Sequence, residues 1–188
     1  MSIIVAVAKR GKIAVATDTL YLTGPHKDYA ADLVDRSKVR RAGSSFIGMT
    51  GWSLYQNIFD HYLANRRVPP LKTTEVIFDF FLKFWRTLKE RYPFVKEQRE
   101  GSDSPFSDLD ASFLVANRYG IFDVHGNMTV WQHKRYCAIG SGSPYAYGAL
   151  HTLYDGGGGV SGMARRAVEA AVQFDDGCGG PIEVVEVK

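Results

Sequence analysis

The chain is poor in cysteine. Cys137 and Cys178 are the only two among 188 residues, too few for a disulfide framework and without the paired spacing of a zinc finger. Proline is sparse, with seven residues, which excludes a polyproline or collagen-like chain. Net charge is small, +3 at pH 7, and charged residues make up 23%. Nucleic-acid binding usually needs a clustered basic face, so none is expected. No run approaches the ~18 consecutive apolar residues of a membrane span. The opening MSIIVAVAKRGK is not expected to be a signal peptide, because Lys9 and Arg10 follow the short apolar run rather than precede it. No P-loop or dinucleotide fingerprint occurs. The run GSGSPYAYG precedes a helical segment but lacks the Gly-Lys-Ser/Thr ending that holds phosphates. No metal and no cofactor are expected.

What is present is 45% hydrophobic residues and 13% aromatics, the composition of a globular core. The length predicts one domain spanning residues 1–188, in a reducing, cytoplasmic compartment. Residues 2–8 and 13–17 read as a hairpin turned at 9–12, its first strand apolar on both faces and so buried on both. Residues 19–37 read as irregular, broken at Gly24-Pro25. Strands are expected at 38–41 and 45–49. Helices follow at 52–66 and from 73 to before Pro93, each with apolar residues three and four apart. The second is either a core helix or a surface for another subunit, and its many large apolar residues favour the core. Residues 96–110 read as a charged surface loop. Strands at 111–117, 120–124, 128–131 and 135–139 are expected to form a meander with a turn at Gly126-Asn127. Ser143 is expected to cap a helix with Pro144 first inside it. A last helix over 161–174 and a strand over 182–187 complete the chain. Strands followed by helices, twice over, suggest helices on the outer faces of antiparallel sheets.

Ser2 is the most suggestive residue. A small residue after Met1 favours removal of the initiator, which would leave a hydroxyl and a free α-amine on one residue. That amine titrates at about 7.7–8.0, so it can act as a base near neutral pH. Amine-activated hydroxyls are a route to covalent catalysis. With Met1 attached, the amine would sit on Met1 and this route would be blocked. A second-position serine is common, however, so this signal gains weight only within a larger pattern.

That pattern is the ordered series SIIVAV at the start, ATDT at 16–19, SKVRR at 37–41, FIGMTG at 46–51, AIGSGSPYAYG at 138–148 and DDGCGGPIEVVEV at 175–187. Over nearly its whole length the chain resembles the proteasome β-subunit family of N-terminal-nucleophile hydrolases, especially bacterial HslV-type peptidases and related bacterial proteasome homologues. The resemblance implies an α+β fold, a four-layer αββα sandwich of two antiparallel sheets flanked by helices. It implies Ser2 as nucleophile, Asp18 and Lys38 as the acidic residue and buried lysine beside it, and the Gly51 N–H as oxyanion donor. Ser141, Asp175 and Cys178 match the residues around the free amine. Two departures stand out. Serine replaces the usual threonine, losing the methyl that restricts its rotamer. Cys178 replaces the usual serine, and a thiol is a weaker hydrogen-bonding group. By offset, Tyr21, Arg36, Met49 and Ser53 would line the pocket for the residue before the scissile bond, and Met49 suggests an apolar preference.

The implied function is a self-compartmentalising endopeptidase subunit acting on unfolded polypeptides. Its implied partners are sister subunits in stacked rings and an ATP-driven unfoldase ring. Two alternatives stand beside it: a catalytically inactive ring or scaffold subunit, and an N-terminal-nucleophile amidase acting on a small amide.

Overall fold

A computed structural model describes residues 1–64, 66–92 and 109–188. Two antiparallel sheets organise it. The first has the order β10-β1-β2-β11, formed by Tyr136–Ile139, Ile4–Lys9, Lys12–Thr17 and Glu183–Val187. The second has the order β5-β6-β7-β8-β9, formed by Val39–Ala42, Ser45–Gly51, Ala111–Asn117, Gly120–Val124 and Val130–His133. A two-stranded ribbon pairs β3, Leu20–Thr23, with β4, His26–Tyr29. The helices are α1, Ser53–Ala64; α2, Thr74–Arg91; α3, Ser143–Leu153; and α4, Val160–Phe174.

Strand β1 shows why the layers stack as they do. Its side chains alternate between faces with the two-residue period of a strand. Ile3, Val5 and Val7 face Ala146, Leu150, Ala164 and Val168 of α3 and α4. Ile4 and Ala6 face the other way, onto Leu114, Ala116 and Ile121 of the second sheet. Beyond that sheet, Phe113 and Phe122 meet Phe59, Phe81 and Phe84 of α1 and α2. Helices, sheet, sheet, helices: this is the expected αββα sandwich. The aromatic layer is tight, with Phe81 and Phe113 centroids 4.6 Å apart. Burying each such side chain stabilises the fold by about 1.5–3 kcal/mol.

The local signals explain the boundaries. Arg10 and Gly11 both have positive φ, 53° and 75°, as a two-residue hairpin of the primed class requires. Thr73 caps α2 by accepting from the Val76 N–H, and the helix buries Ile77, Phe80, Phe81, Phe84 and Leu88. That face is therefore core and is not offered to another subunit.

Four expectations change. Residues 19–37 contain the β3–β4 ribbon, folded about Gly24-Pro25; strands of four residues with mixed polarity leave no readable alternation. Strand β10 leaves the meander and pairs with β1, Ala6 opposite Cys137, because both its faces are apolar enough to be buried in the first sheet. Strand β9 starts at Val130, since Met128 has φ 69° and prolongs the turn. The cap of α3 is Gly142 instead of Ser143, and a Cβ there would collide with the Ala171 and Cys178 side chains. The charged loop expected over 96–110 lies, apart from Leu109 and Asp110, outside the described residues. Among the described residues no helix is long and apolar enough to cross a membrane.

Candidate active site

The hairpin register fixes the first pair of site residues. Ile4 lies opposite Thr17, which sets Asp18 beside Ile3 at the open end of the hairpin. Asp18 is fully buried. Its Oδ1 accepts from the Ile3 N–H at 3.0 Å and from Lys38 Nζ at 2.8 Å. Its Oδ2 accepts from the Leu20 and Gly179 N–H groups at 3.3 and 3.1 Å. Backbone donors and a counter-charge thus replace the water this carboxylate loses.

Lys38 sits just before β5 and is held in register by the Met49 N–H, which donates to its carbonyl. Its ammonium donates to Asp18 and, at 2.6 Å, to the Leu20 carbonyl, and it lies 5.2 Å from the centre of the Tyr21 ring. Burial lowers its pKa below the ordinary lysine value, and the Asp18 carboxylate opposes that shift without cancelling it.

Ser2 lies at the mouth of this buried pair. Its N–H donates to Ser141 Oγ at 3.2 Å, and its hydroxyl donates to the Met1 carbonyl. Its carbonyl accepts from the Gly142 N–H and the Ser141 hydroxyl, at 3.4 and 3.5 Å. The 140–143 turn can close on Ser2 only because residue 140 is glycine. Gly140 has φ 102°, and a Cβ would run into the Ser2 carbonyl. Gly51 is a second such position: it ends β6 at φ 120°, and a Cβ would strike the Asp110 carbonyl.

Asp175 caps the C-terminus of α4 and turns the chain back. Its Oδ1 accepts from the Gly177 N–H at 2.7 Å, and its carbonyl accepts from the Cys178 N–H. The Cys178 thiol, buried beneath the 140–143 turn, is pushed up to about 12 by desolvation and by the nearby Asp18 and Asp175 carboxylates. Near neutral pH it is a thiol, and so neither a thiolate nucleophile nor a charged base.

Two clefts meet at Ser2. One, of about 510 Å³, is lined by Tyr21, Lys38, Met49, Gly51 and Ser53 among others. The other, of about 500 Å³, is lined by Thr50, Asp110, His125, Gly140 and Ser141 among others. Ser2 and Gly51 border both. Of the four side chains anticipated for the pocket, Tyr21, Met49 and Ser53 line the first cleft. Arg36 does not; it turns to α1, where its Nη1 donates to Asn57. Sequence reasoning missed Gln56, Trp52 and Asp110. Gln56 was within reach, because it lies three residues after Ser53 on the same helix face. It accepts from the Tyr21 hydroxyl at 3.1 Å. Trp52, 60% exposed at the rim, donates to Asp110 at 2.6 Å.

No family model matches the sequence, and neither does any curated protein. Solved structures do match. Thiobacillus denitrificans BPH is 33% identical, with 99% of this chain and 98% of that chain covered and a TM-score of 0.88. The same protein in complex with epoxomicin is 32% identical, with 99% of both chains covered and a TM-score of 0.88. This chain belongs to the HslV-like, proteasome β-type family. Eukaryotic HslV from Trypanosoma brucei shares the family's fold at 18% identity, with 98% of both chains covered and a TM-score of 0.67. Membership in this family of proteasome-type peptidases gives the convergence around Ser2 a chemical context.

Proposed function

We propose that the chain is one subunit of a self-compartmentalising endopeptidase, with Ser2 as nucleophile once Met1 is removed. The observation that carries this reading is the position of Ser2 at the junction of two clefts. An extended polypeptide needs room on both sides of the bond that is cut, and a small-amide enzyme needs only one pocket.

In this reading the free Ser2 amine, held by Ser141, takes the Oγ proton as the hydroxyl attacks a peptide carbonyl. The Gly51 N–H receives the developing oxyanion. Collapse of the tetrahedral intermediate expels the new amine with the proton returned by the α-ammonium. Water, activated by the same amine, then releases the acyl group and regenerates Ser2. The Lys38 ammonium lowers the hydroxyl pKa through its positive charge, and Asp18 fixes its position. Asp175 and the neutral Cys178 thiol complete the surroundings of the amine.

A domain of 188 residues has a radius of gyration of roughly 16 Å. That is too small to enclose a chamber, so the working unit is a stacked ring of copies, fed by an ATP-driven unfoldase. Epoxomicin, present in the complex with Thiobacillus denitrificans BPH, is expected to compete for the Ser2 site. N-terminal sequencing should find Ser2 first in the native host. Ser2→Ala should lower kcat/KM for a fluorogenic peptide by ~10³-fold or more while leaving the fold intact, and Lys38→Ala should also lower it. Equal rates in wild type and both variants would overturn the assignment.

A further inference from the structure

A second set of chemically capable side chains lies between the two sheets at their edge. Strand register brings it together. Ile121 pairs with His133, and Asp123 with Trp131, so Asp123 and His133 share the β8–β9 face that Ile121 turns toward the first sheet. Strand β10 supplies Cys137 from that sheet, on the same inter-sheet side. One donor atom each from Asp123, His133 and Cys137 lie within 4.8 Å of one another. His133 Nε2 is 3.1 Å from Asp123 Oδ1, and His125 Nε2 is 3.0 Å from Asp123 Oδ2.

We infer that Asp123, His133 and Cys137 form a binding site for a borderline divalent transition-metal ion, Zn2+ in the first instance, with His125 orienting the carboxylate.

The decisive feature is what these close approaches lack. Asp123 is 95% buried. Yet its Oδ1, together with Nε2 of His125 and of His133, is buried without a hydrogen bond among the described residues. The ring nitrogens reach the carboxylate oxygens but do not aim an N–H at them. With Nε2 unprotonated on both rings, lone pairs and negative charge converge on one place, an arrangement that is costly in a dry interior unless a cation shares it. The donor set chooses the ion. One imidazole nitrogen, one carboxylate oxygen and one sulfur suit Zn2+, whereas Ca2+ and Mg2+ want oxygen alone. Zn–N and Zn–O bonds of about 2.0–2.2 Å and Zn–S bonds of about 2.3 Å put tetrahedral ligands roughly 3.3–3.6 Å apart, so small rotamer changes suffice. The second carboxylate oxygen lies 3.0 Å from His125 Nε2, close enough for a small ring rotation to bring an N–H onto it and fix the ligand's orientation once the ion is bound. His125 also lines the second cleft and its side chain is 42% exposed, which gives an ion a route in. The ligands are 10 and 4 residues apart in sequence, on three strands, which is why no metal-binding spacing was readable.

Binding requires the Cys137 thiol to lose its proton to solvent as the metal–sulfur bond forms. The test is titration of chelator-treated protein with Co2+ and, in competition, Zn2+. The expected result is one equivalent of Co2+ with tetrahedral d–d bands and a thiolate-to-metal charge-transfer band, displaced by Zn2+. That band should vanish in Cys137→Ala and persist in Cys178→Ala. His133→Ala should weaken binding more than 100-fold, and His125→Ala, acting at one remove, by about 10–100-fold. Zn2+ at 100 times its Kd should raise Tm by roughly 5–10 °C in wild type. The wild-type spectrum alone reports sulfur ligation, so the proposal stays falsifiable if a variant fails to fold. Absence of binding, octahedral Co2+ without a charge-transfer band, or affinities within twofold of wild type in His133→Ala would overturn it. The site does not depend on the peptidase reading and stands or falls separately.

Discussion

Asp18 and Asp123 are both carboxylates buried near the inner sheets, and each has a cysteine close by. Their surroundings differ completely. Asp18 has three backbone N–H groups and the Lys38 ammonium spread over its two oxygens. Asp123 has two imidazole nitrogens within reach and no hydrogen bond to its Oδ1. The first is complete without any ligand: its charge is balanced and its lone pairs are used, so it can serve as a rigid support for Ser2. The second is complete only when something positive joins it. Buried charge thus serves two purposes in one fold, and the hydrogen-bond inventory, more than the burial, tells them apart.

Neutralising each carboxylate in turn breaks the comparison most directly. Asp18→Asn leaves Lys38 buried without its counter-charge and should cost about 3–5 kcal/mol of unfolding free energy. Asp123→Asn, measured without metal, should cost less than ~1 kcal/mol, since the Oδ1 it alters has no hydrogen bond to lose. Urea denaturation of the two variants gives both numbers. Similar costs would mean that Asp123 is as well partnered as Asp18.

Next in size is Gly140→Ala, which acts on the turn that closes over Ser2. The added methyl meets the Ser2 carbonyl, and φ 102° is strained for alanine. A loss of about 1–3 kcal/mol is expected, with a fall in peptidase rate beyond what the stability loss explains. Gly162→Ala in α4 is the control. A Cβ there meets nothing within 4 Å, and alanine should stabilise the helix by up to about 1 kcal/mol.

How much of this was legible in the chain depends on the range of the interactions. The two-faced apolar run of β1 and the aromatic face of α2 are local patterns, and both were read correctly. The ribbon at 20–29 is not legible beyond its Gly24-Pro25 turn, because strands of four residues with mixed polarity show no alternation. The transfer of β10 to the first sheet joins Ala6 to Cys137, and nothing local announces so distant a pairing. The site divides the same way. Ser2, Asp18, Lys38, Gly51 and Ser141 stand in recognisable motifs; Ser2, Lys38, Gly51 and Ser141 line the two clefts, and Asp18 is buried behind Lys38. Arg36 was placed by offset alone, and the exposed link between β4 and β5 carries it elsewhere. The Asp123 cluster left no trace, since its spacing in sequence bears no relation to its spacing across strands.

The two thiols sharpen the comparison at alkaline pH. Cys178 stands beside Asp18 and Cys137 beside Asp123, and burial first, then those carboxylates, push each up to about 12 from an ordinary value of 9.0. Below about pH 8 both thiols are protonated whether the chain is folded or not, so their contribution is fully present. Between about 9 and about 12 the unfolded chain releases protons that the folded one keeps, and stability falls as pH rises. The slope should reach at most about 1.4 kcal/mol per pH unit per thiol. Denaturation of metal-free protein at pH 8, 9 and 10 should show a shallower fall in Cys137→Ala than in wild type. An unchanged slope would place that thiol in a more solvated setting.

The smallest effect is expected at Arg36, and it tests where the first cleft ends. The side chain bonds to Asn57 on the surface of α1 and does not line the cleft, and its charge acts on the Tyr21 hydroxyl only weakly, behind burial, the Gln56 hydrogen bond and Arg40. An exposed polar contact of this kind contributes less than ~0.5 kcal/mol. Arg36→Ala should therefore leave unfolding free energy within that margin and leave the ranking of peptide substrates unchanged, acidic residues before the scissile bond included. Met49 and Tyr21, which line the cleft, would then set that preference through shape and apolar contact. A selective loss of acidic substrates in Arg36→Ala would show that the working pocket extends past Gln56 to the outer face of α1.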